Sequence, residues 1–328
     1  MKQFWLVPIA ACMVNLWSPE LARGQADNVF LEKLPSNGRV VVLGNSITYA
    51  GHYIHQFVTA GLLNGTYQNL EFINLGLPSE TVSGLSEDGH AGGEFPRPNL
   101  HDRLGRIMDT LSPDLVIACY GINDGIYLPF DPYRFEQYVE GMERLHREVT
   151  RKGARIVLLS PPVYDPVHDE SYAEVIHHYA DWLIQQRDEK DWEIIDIHWP
   201  MFEFLTGKRS TDTSFYLAKD GIHPNELGHW LMAKSLLKAF NVFKEPLPNE
   251  PGTFFCHHPD GIPLLRLCSE RINLSRDYWL HKIGHERPGI KPPLPEKEFQ
   301  HNYNLLGKKM RDKLKQIQSN PISVKQIK

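Results

Sequence analysis

Ser46 stands in Gly44-Asn45-Ser46-Ile47-Thr48, directly after the apolar run Val40-Val41-Val42-Leu43. A serine at a strand-to-helix turn presents its hydroxyl at the carboxyl edge of a sheet, with its backbone N–H in the same space. Gly-x-Ser alone is weak ground, because both residues populate turns everywhere. A second grouping is Asp220-Gly221-Ile222-His223-Pro224-Asn225. An aspartate and a histidine three apart across a glycine can set the carboxylate against one imidazole nitrogen. The other nitrogen then takes a proton from a hydroxyl. Asp-x-x-His by itself reads equally as a helix-start carboxylate beside an exposed histidine. Two further segments end apolar runs with small or amide residues: Asn74-Leu75-Gly76 and Gly121-Ile122-Asn123-Asp124.

All four segments sit at element ends within one repeating pattern. Val40–Leu43, Leu70–Asn74, Leu115–Tyr120, Arg155–Leu159 and Ile194–Ile197 read as strands. Amphipathic stretches lie between and after them, at His55–Leu63, Leu100–Leu111, Phe135–Lys152, Tyr172–Arg187 and Asn225–Phe240, the last with Asn225 or a neighbour as its cap. Near-continuously apolar strands alternating with helices predict a parallel sheet covered on both faces. Such sheets place their ligand crevice at the carboxyl ends of the strands, where the four segments fall.

In this order and at these positions, the segments resemble the sequence blocks of the SGNH/GDSL hydrolases. Ser46 matches the nucleophile, Gly76 and Asn123 the glycine and asparagine blocks, and Asp220 with His223 the final pair; the resemblance spans roughly residues 39–240. It implies a three-layer α/β/α sandwich with a central five-stranded parallel sheet, flavodoxin-like in order. It also implies a serine esterase working through an acyl-enzyme without metal or organic cofactor. His223 would deprotonate Ser46, Asp220 would orient the imidazolium, and Ser46, Gly76 and Asn123 would form the oxyanion hole. One position departs from the family: the first block usually reads Gly-Asp-Ser, and here Asn45 replaces the acid. An amide keeps hydrogen-bonding capacity and loses the charge, which predicts tuned rather than lost activity.

The long Gly-rich segment from Leu77 to Arg97 follows the second block and should overhang the site. Glu80, His90 and Arg97 in it, and Tyr127 after Asn123, are the candidate substrate contacts; Phe130 reads more as loop packing. The expected substrate is an ester, with an acylated carbohydrate as the family-level expectation. A lipase or small-ester esterase on the same triad is the first alternative, and the polar character of Ser79–Arg97 counts against a lipase lid. A non-catalytic carbohydrate-binding protein on this fold is the second, and the retention of Ser46, Asn123 and His223 counts against it. An ordinary α/β-hydrolase elbow, Gly-x-Ser-x-Gly, is incomplete because Thr48 occupies its last position.

The whole chain has 328 residues and a net charge of −5, which gives no reason to expect a nucleic-acid partner. No run is long enough to span a bilayer. Residues 1–26 read as a signal peptide: Lys2, a short apolar run from Phe4 to Val14, then Gly24 and Ala26 two apart. Export to the periplasm or exterior follows, with a lipid anchor on Cys12 in Ile9-Ala10-Ala11-Cys12 as the lesser alternative. Residues 27–250 form the expected catalytic domain. Beyond them the charge reverses: residues 251–328 hold 14 Lys/Arg and 7 Asp/Glu, a net of +7, against −13 for residues 27–250. Trp279 and Leu280 give this basic extension anchors with which to dock. Cys119 reads as a buried strand thiol, and Cys256 and Cys268 as a pair that an oxidising compartment would allow.

Overall fold

A computed structural model describes residues 36–319 apart from Pro259. The expected signal peptide and Cys12 lie outside the described residues. Five strands form one parallel sheet in the order β2-β1-β3-β4-β5: β1 (Gly38–Gly44), β2 (Leu70–Asn74), β3 (Leu115–Cys119), β4 (Arg155–Leu159) and β5 (Ile194–Ile195). Val42 lies opposite both Asn74 and Ile117, and Gly44 opposite Cys119. Strands β1 and β3 are buried on both faces, which is why they read as unbroken apolar runs. The chain leaves β1 toward β2 on one side and returns to β3 on the other. The crevice of such a sheet opens at this reversal of strand order.

The helices are α1 (Ser46–Ala50), α2 (His52–Leu63), α3 (Leu104–Leu111), α4 (Pro132–Arg151), α5 (Glu170–Lys190), α6 (His198–Arg209) and α7 (Glu226–Ala239). Side-chain caps set four of their starts, with Asn45 at α1. Asp131, Asp169 and Asn225 each accept from backbone N–H groups of the first turn, and Pro132 occupies the first turn of α4. No helix among the described residues is long and apolar enough to cross a membrane.

The basic extension is helical: α8 (Pro251–Cys256), α9 (Gly261–Ile283) and α10 (Glu296–Ser319). Helix α9 packs against α2 and β2, and α10 packs on α9. Leu264, Cys268, Ile272, Leu280, Ile283, Met310 and Leu314 are buried in the same core as the sheet. Polar ties add to this seam. Arg106 donates to Ile283 O at 2.8 Å and Gly284 O at 3.1 Å, and Arg287 Nε donates to Pro78 O at 2.9 Å. Cys256 and Cys268 are both free; Cys268 is buried and Cys256 exposed, so they form no disulfide.

Candidate active site

The turn after β1 is built by short-range constraints. A Cβ on Gly44 would stand 2.8 Å from Cys119 O, so glycine lets β1 and β3 close up beneath the site. Asn45 caps α1, its Oδ1 accepting the Ile47 N–H at 3.1 Å. Asn45 is buried, and its amide oxygen makes the contact that a carboxylate would make there. Ser46 is the first residue of α1, so its N–H has no intrahelical acceptor. Helix α1 is only five residues long, and its carbonyls are satisfied by its own C-cap and by more distant residues. Ile47 O accepts from Gly51 N at 3.1 Å, Thr48 O from Asn74 Nδ2 at 2.6 Å, and Tyr49 O from Arg276 Nη1 of α9 at 2.6 Å. The Arg276 guanidinium also lies 4.0 Å over the Tyr49 ring.

Ser46 Oγ lies 2.8 Å from His223 Nε2, and His223 Nδ1 lies 2.6 Å from Asp220 Oδ2. With the Nδ1 proton facing the carboxylate, Nε2 keeps its lone pair for the hydroxyl. Asp220 Oδ1 accepts the N–H groups of Ile222 at 3.0 Å and His223 at 2.8 Å. Partial burial lifts the Asp220 carboxyl, but its hydrogen bonds to His223 and to the Ile222 N–H outweigh this and hold it at about 2. The loop itself is fixed from below. Gly221 adopts a left-handed φ of 82° with His168 directly under it, and its carbonyl accepts from Asp165 N at 3.0 Å. Asp165 is in turn held by Arg209 through two bonds of 2.7 Å. The side chains of His223 and Asp220 are 49% and 54% exposed, so the constellation opens directly to solvent.

Gly76 lies against the turn that carries Ser46: a Cβ there would stand 2.2 Å from Tyr49 N and 2.5 Å from Thr48 C. Its N–H donates to Asn74 Oδ1 at 2.8 Å, so it must exchange that partner before serving an oxyanion. Asn123 Nδ2 donates to Glu80 O at 3.1 Å, which leaves a second amide hydrogen, and its Oδ1 accepts from Tyr127 Oη at 2.8 Å. Sequence reasoning missed two positioning residues. Asn74 joins the end of β2 to α1. Asp124 accepts the N–H groups of Val82 and Ser83 at 2.9 Å and of Gly121 at 2.8 Å, tying the loop after β2 to the loop after β3. Desolvation raises the Asp124 carboxyl against these donors. The signal for both was the same: a carboxamide or carboxylate within two residues of a block residue at a strand end.

The expected substrate contacts divide. Glu80 must be corrected: it is fully buried, its carboxylate pairs with Arg103 at 2.6 and 2.7 Å and accepts from Tyr120 Oη at 2.6 Å, and it faces no solvent. Burial raises its carboxyl, and Arg103 and Tyr120 oppose that shift. Its link to the site is through its backbone oxygen on Asn123. Arg97 is 8% exposed and clasps Glu87 at 2.5 and 2.6 Å, while His90 Nδ1 meets the same carboxylate at 3.1 Å. The Arg97 guanidinium stands 5.2 Å over the Tyr127 ring. Arg97, His90 and Glu87 thus brace the overhanging segment, and Tyr127 sits between it and Asn123. Phe130 is 46% exposed and edges onto His178 at 4.6 Å. Among the described residues no group of three or more His, Cys, Asp or Glu side chains is placed to hold a metal ion.

Among solved structures the chain is similar to a catalytic mutant of an acetylxylan esterase from Geobacillus stearothermophilus. The identity is 21% and the TM-score 0.51, over 65% of this chain and 100% of that one. It is also similar to a gut microbial diltiazem-metabolizing enzyme, at 16% identity and a TM-score of 0.58, over 88% of this chain and 92% of that one. At these identities the likeness is one of fold. A search of curated protein sequences returns no match. Residues 42–231 match the sequence profile of the GDSL-like Lipase/Acylhydrolase family.

Proposed function

Since the chain belongs to the GDSL-like Lipase/Acylhydrolase family and is a carboxylic ester hydrolase, we propose that Ser46, His223 and Asp220 are its catalytic triad. The observation that carries this reading is the continuous chain of contacts, 2.8 Å from Ser46 Oγ to His223 Nε2 and 2.6 Å from His223 Nδ1 to Asp220. His223 takes the hydroxyl proton as Ser46 Oγ bonds to the ester carbonyl carbon. The Ser46 N–H, the Asn123 amide and a released Gly76 N–H stabilise the oxyanion. Collapse breaks the bond to the alcohol oxygen, which leaves with the proton from His223. A water then repeats the sequence on the acyl-enzyme and frees the acid.

The substrate reading is an acylated carbohydrate, with the acetyl group as the acyl part. It is supported by the braced polar segment above the site and by the shared fold with an acetylxylan esterase. A second reading is an ester of a more apolar alcohol. In its favour, Leu128, Phe130 and Val167 on the loops following β3 and β4, Tyr133 in the first turn of α4, and Tyr216 on the approach to Asp220 are all exposed. Export with cleavage after Ala26 belongs to the same proposal, and N-terminal sequencing of exported protein tests it.

Ser46→Ala should abolish hydrolysis of an activated acetyl ester by the folded protein; wild-type turnover, with contaminating esterase removed, would reject the triad. Acetylated xylo-oligosaccharides compared with longer-chain and aryl-alcohol esters decide between the two substrate readings by kcat/KM.

A further inference from the structure

A cavity of about 120 Å³ lies at the β2 edge of the sheet, under the C-terminal helices and apart from the triad residues. One wall is apolar and comes from α2 and β2, with Val58, Leu62 and Phe72; the other comes from the extension, with Ile272, Met310 and Leu314. Four polar side chains, Tyr67, Gln68, Arg271 and Arg311, line the same space. Tyr67 is 4% exposed and its hydroxyl has no hydrogen-bond partner. Arg271 Nε is buried without a partner, its guanidinium lying 3.8 Å over the Tyr303 ring. Arg311 completes the set, and neither arginine pairs with a carboxylate among the described residues. The two guanidinium groups converge: a side chain on Gly307 would meet Arg271 Nε and Arg311 Nη1, each at 3.4 Å.

Like charges facing one point repel unless an anion stands between them. Buried donors without acceptors are costly and rare in native proteins. The cavity thus sets two guanidinium groups beside an apolar floor, and Gly307 leaves open the place where an anion would sit between them. Planar bidentate recognition by arginine suits a carboxylate. A cavity of roughly 150 Å³ accepts benzene, so about six carbons set the scale of the apolar part. We propose that this cavity binds a small apolar monocarboxylate, its carboxylate between Arg271 and Arg311 and its hydrocarbon body against Phe72, Ile272 and Met310. Both walls contribute, so the ligand joins the extension to the sheet edge. Binding to the folded state alone raises stability by mass action.

The test uses the full-length Ser46→Ala protein, so that carboxylate binding at the triad, where acids are products, is kept apart from the cavity. Benzoate and hexanoate are titrated by calorimetry and by thermal shift, alongside benzamide, hexanol, acetate and chloride. The expected result is one saturable site for benzoate or hexanoate with a rising Tm, and at least tenfold weaker binding of the neutral and the two small probes. Arg311→Gln, at an exposed position, should weaken benzoate at least tenfold with an unchanged far-UV spectrum, and Gly307→Leu should remove binding by filling the mouth. Absence of saturable binding, equal binding of benzamide, or wild-type affinity in Arg311→Gln would each overturn the proposal. The triad reading stands or falls separately, on hydrolysis by the wild-type enzyme.

Discussion

Glu80 gives the sharpest stability prediction in the molecule. Its carboxylate holds Arg103 Nε and Nη2 at 2.6 and 2.7 Å and Tyr120 Oη at 2.6 Å, with neither charged side chain reaching solvent beyond 3%. Glu80→Ala leaves the Arg103 guanidinium buried with only Leu75 O, at 2.7 Å, to accept from it. Removing one partner of a buried pair costs about 3–5 kcal/mol. In a chain of this size each kcal/mol shifts the melting point by about 2–4 °C, so a fall of roughly 6–20 °C is expected. Urea unfolding followed by circular dichroism measures the free energy, and a thermal melt the shift. The Arg103→Met/Glu80→Met pair should recover part of the loss, because apolar replacement removes both desolvated charges. At a temperature where Glu80→Ala is folded, KM for an acetyl ester should stay within about twofold, since no carboxylate atom faces the cleft. A tenfold rise in KM with stability unchanged would restore Glu80 as a substrate contact, and a loss below about 1 kcal/mol would refute the ion-pair argument.

Asp220→Asn should lower kcat on the order of 10³–10⁴-fold with little change in KM, read by steady-state kinetics, because the amide no longer selects the imidazole tautomer. Asp220 is also a pH probe: its folded carboxyl lies at about 2, below the usual ~3.9 of an unfolded chain. The stability it contributes is therefore complete above about pH 4 and lost as pH falls toward 2, so wild type should lose stability over that window more steeply than Asp220→Asn in acid melts. Arg276→Met strips Tyr49 O of its donor and should lower kcat about tenfold with KM nearly constant. Arg106→Met, which loosens Ile283 and Gly284 without touching α1, should lower Tm but not kcat, and equal kcat losses in both would remove the special role of Arg276. Deleting residues 251–328 should lower stability or solubility sharply by baring the faces of α2 and β2 that α9 covers, and limited proteolysis should find α9 resistant.

The sheet was legible because β1 and β3 are buried on both faces and so spell out their apolar residues without interruption. The block residues were legible because parallel strands deliver them to one edge. Asn225 does cap α7, as its position before an apolar run suggests. Helix α6 was missed: Trp199-Pro200-Met201-Phe202-Glu203-Phe204 mixes apolar and polar residues without a clear period. The helices of the extension were masked by their lysines and arginines, whose aliphatic stems and stacked guanidinium groups cover Tyr49 and Tyr303 while their charges dominate composition. Glu80 misled for a related reason. A carboxylate in a loop reads as exposed, and its partner Arg103 lies far enough along the chain that no local pattern joins them.

The bond from Arg276 to Tyr49 spans 227 residues. Translation at about 5–20 residues per second puts on the order of ten seconds or more between the synthesis of the two. Throughout that interval the last carbonyls of α1 lack one donor, and α2 and β2 lack the helix that covers them. Contacts of such long sequence separation form late and slowly. A nascent chain that already contains Ser46, Asn123 and His223 is thus still without the brace on the turn that carries Ser46, and the order of synthesis itself delays a competent hydrolase until α9 has emerged.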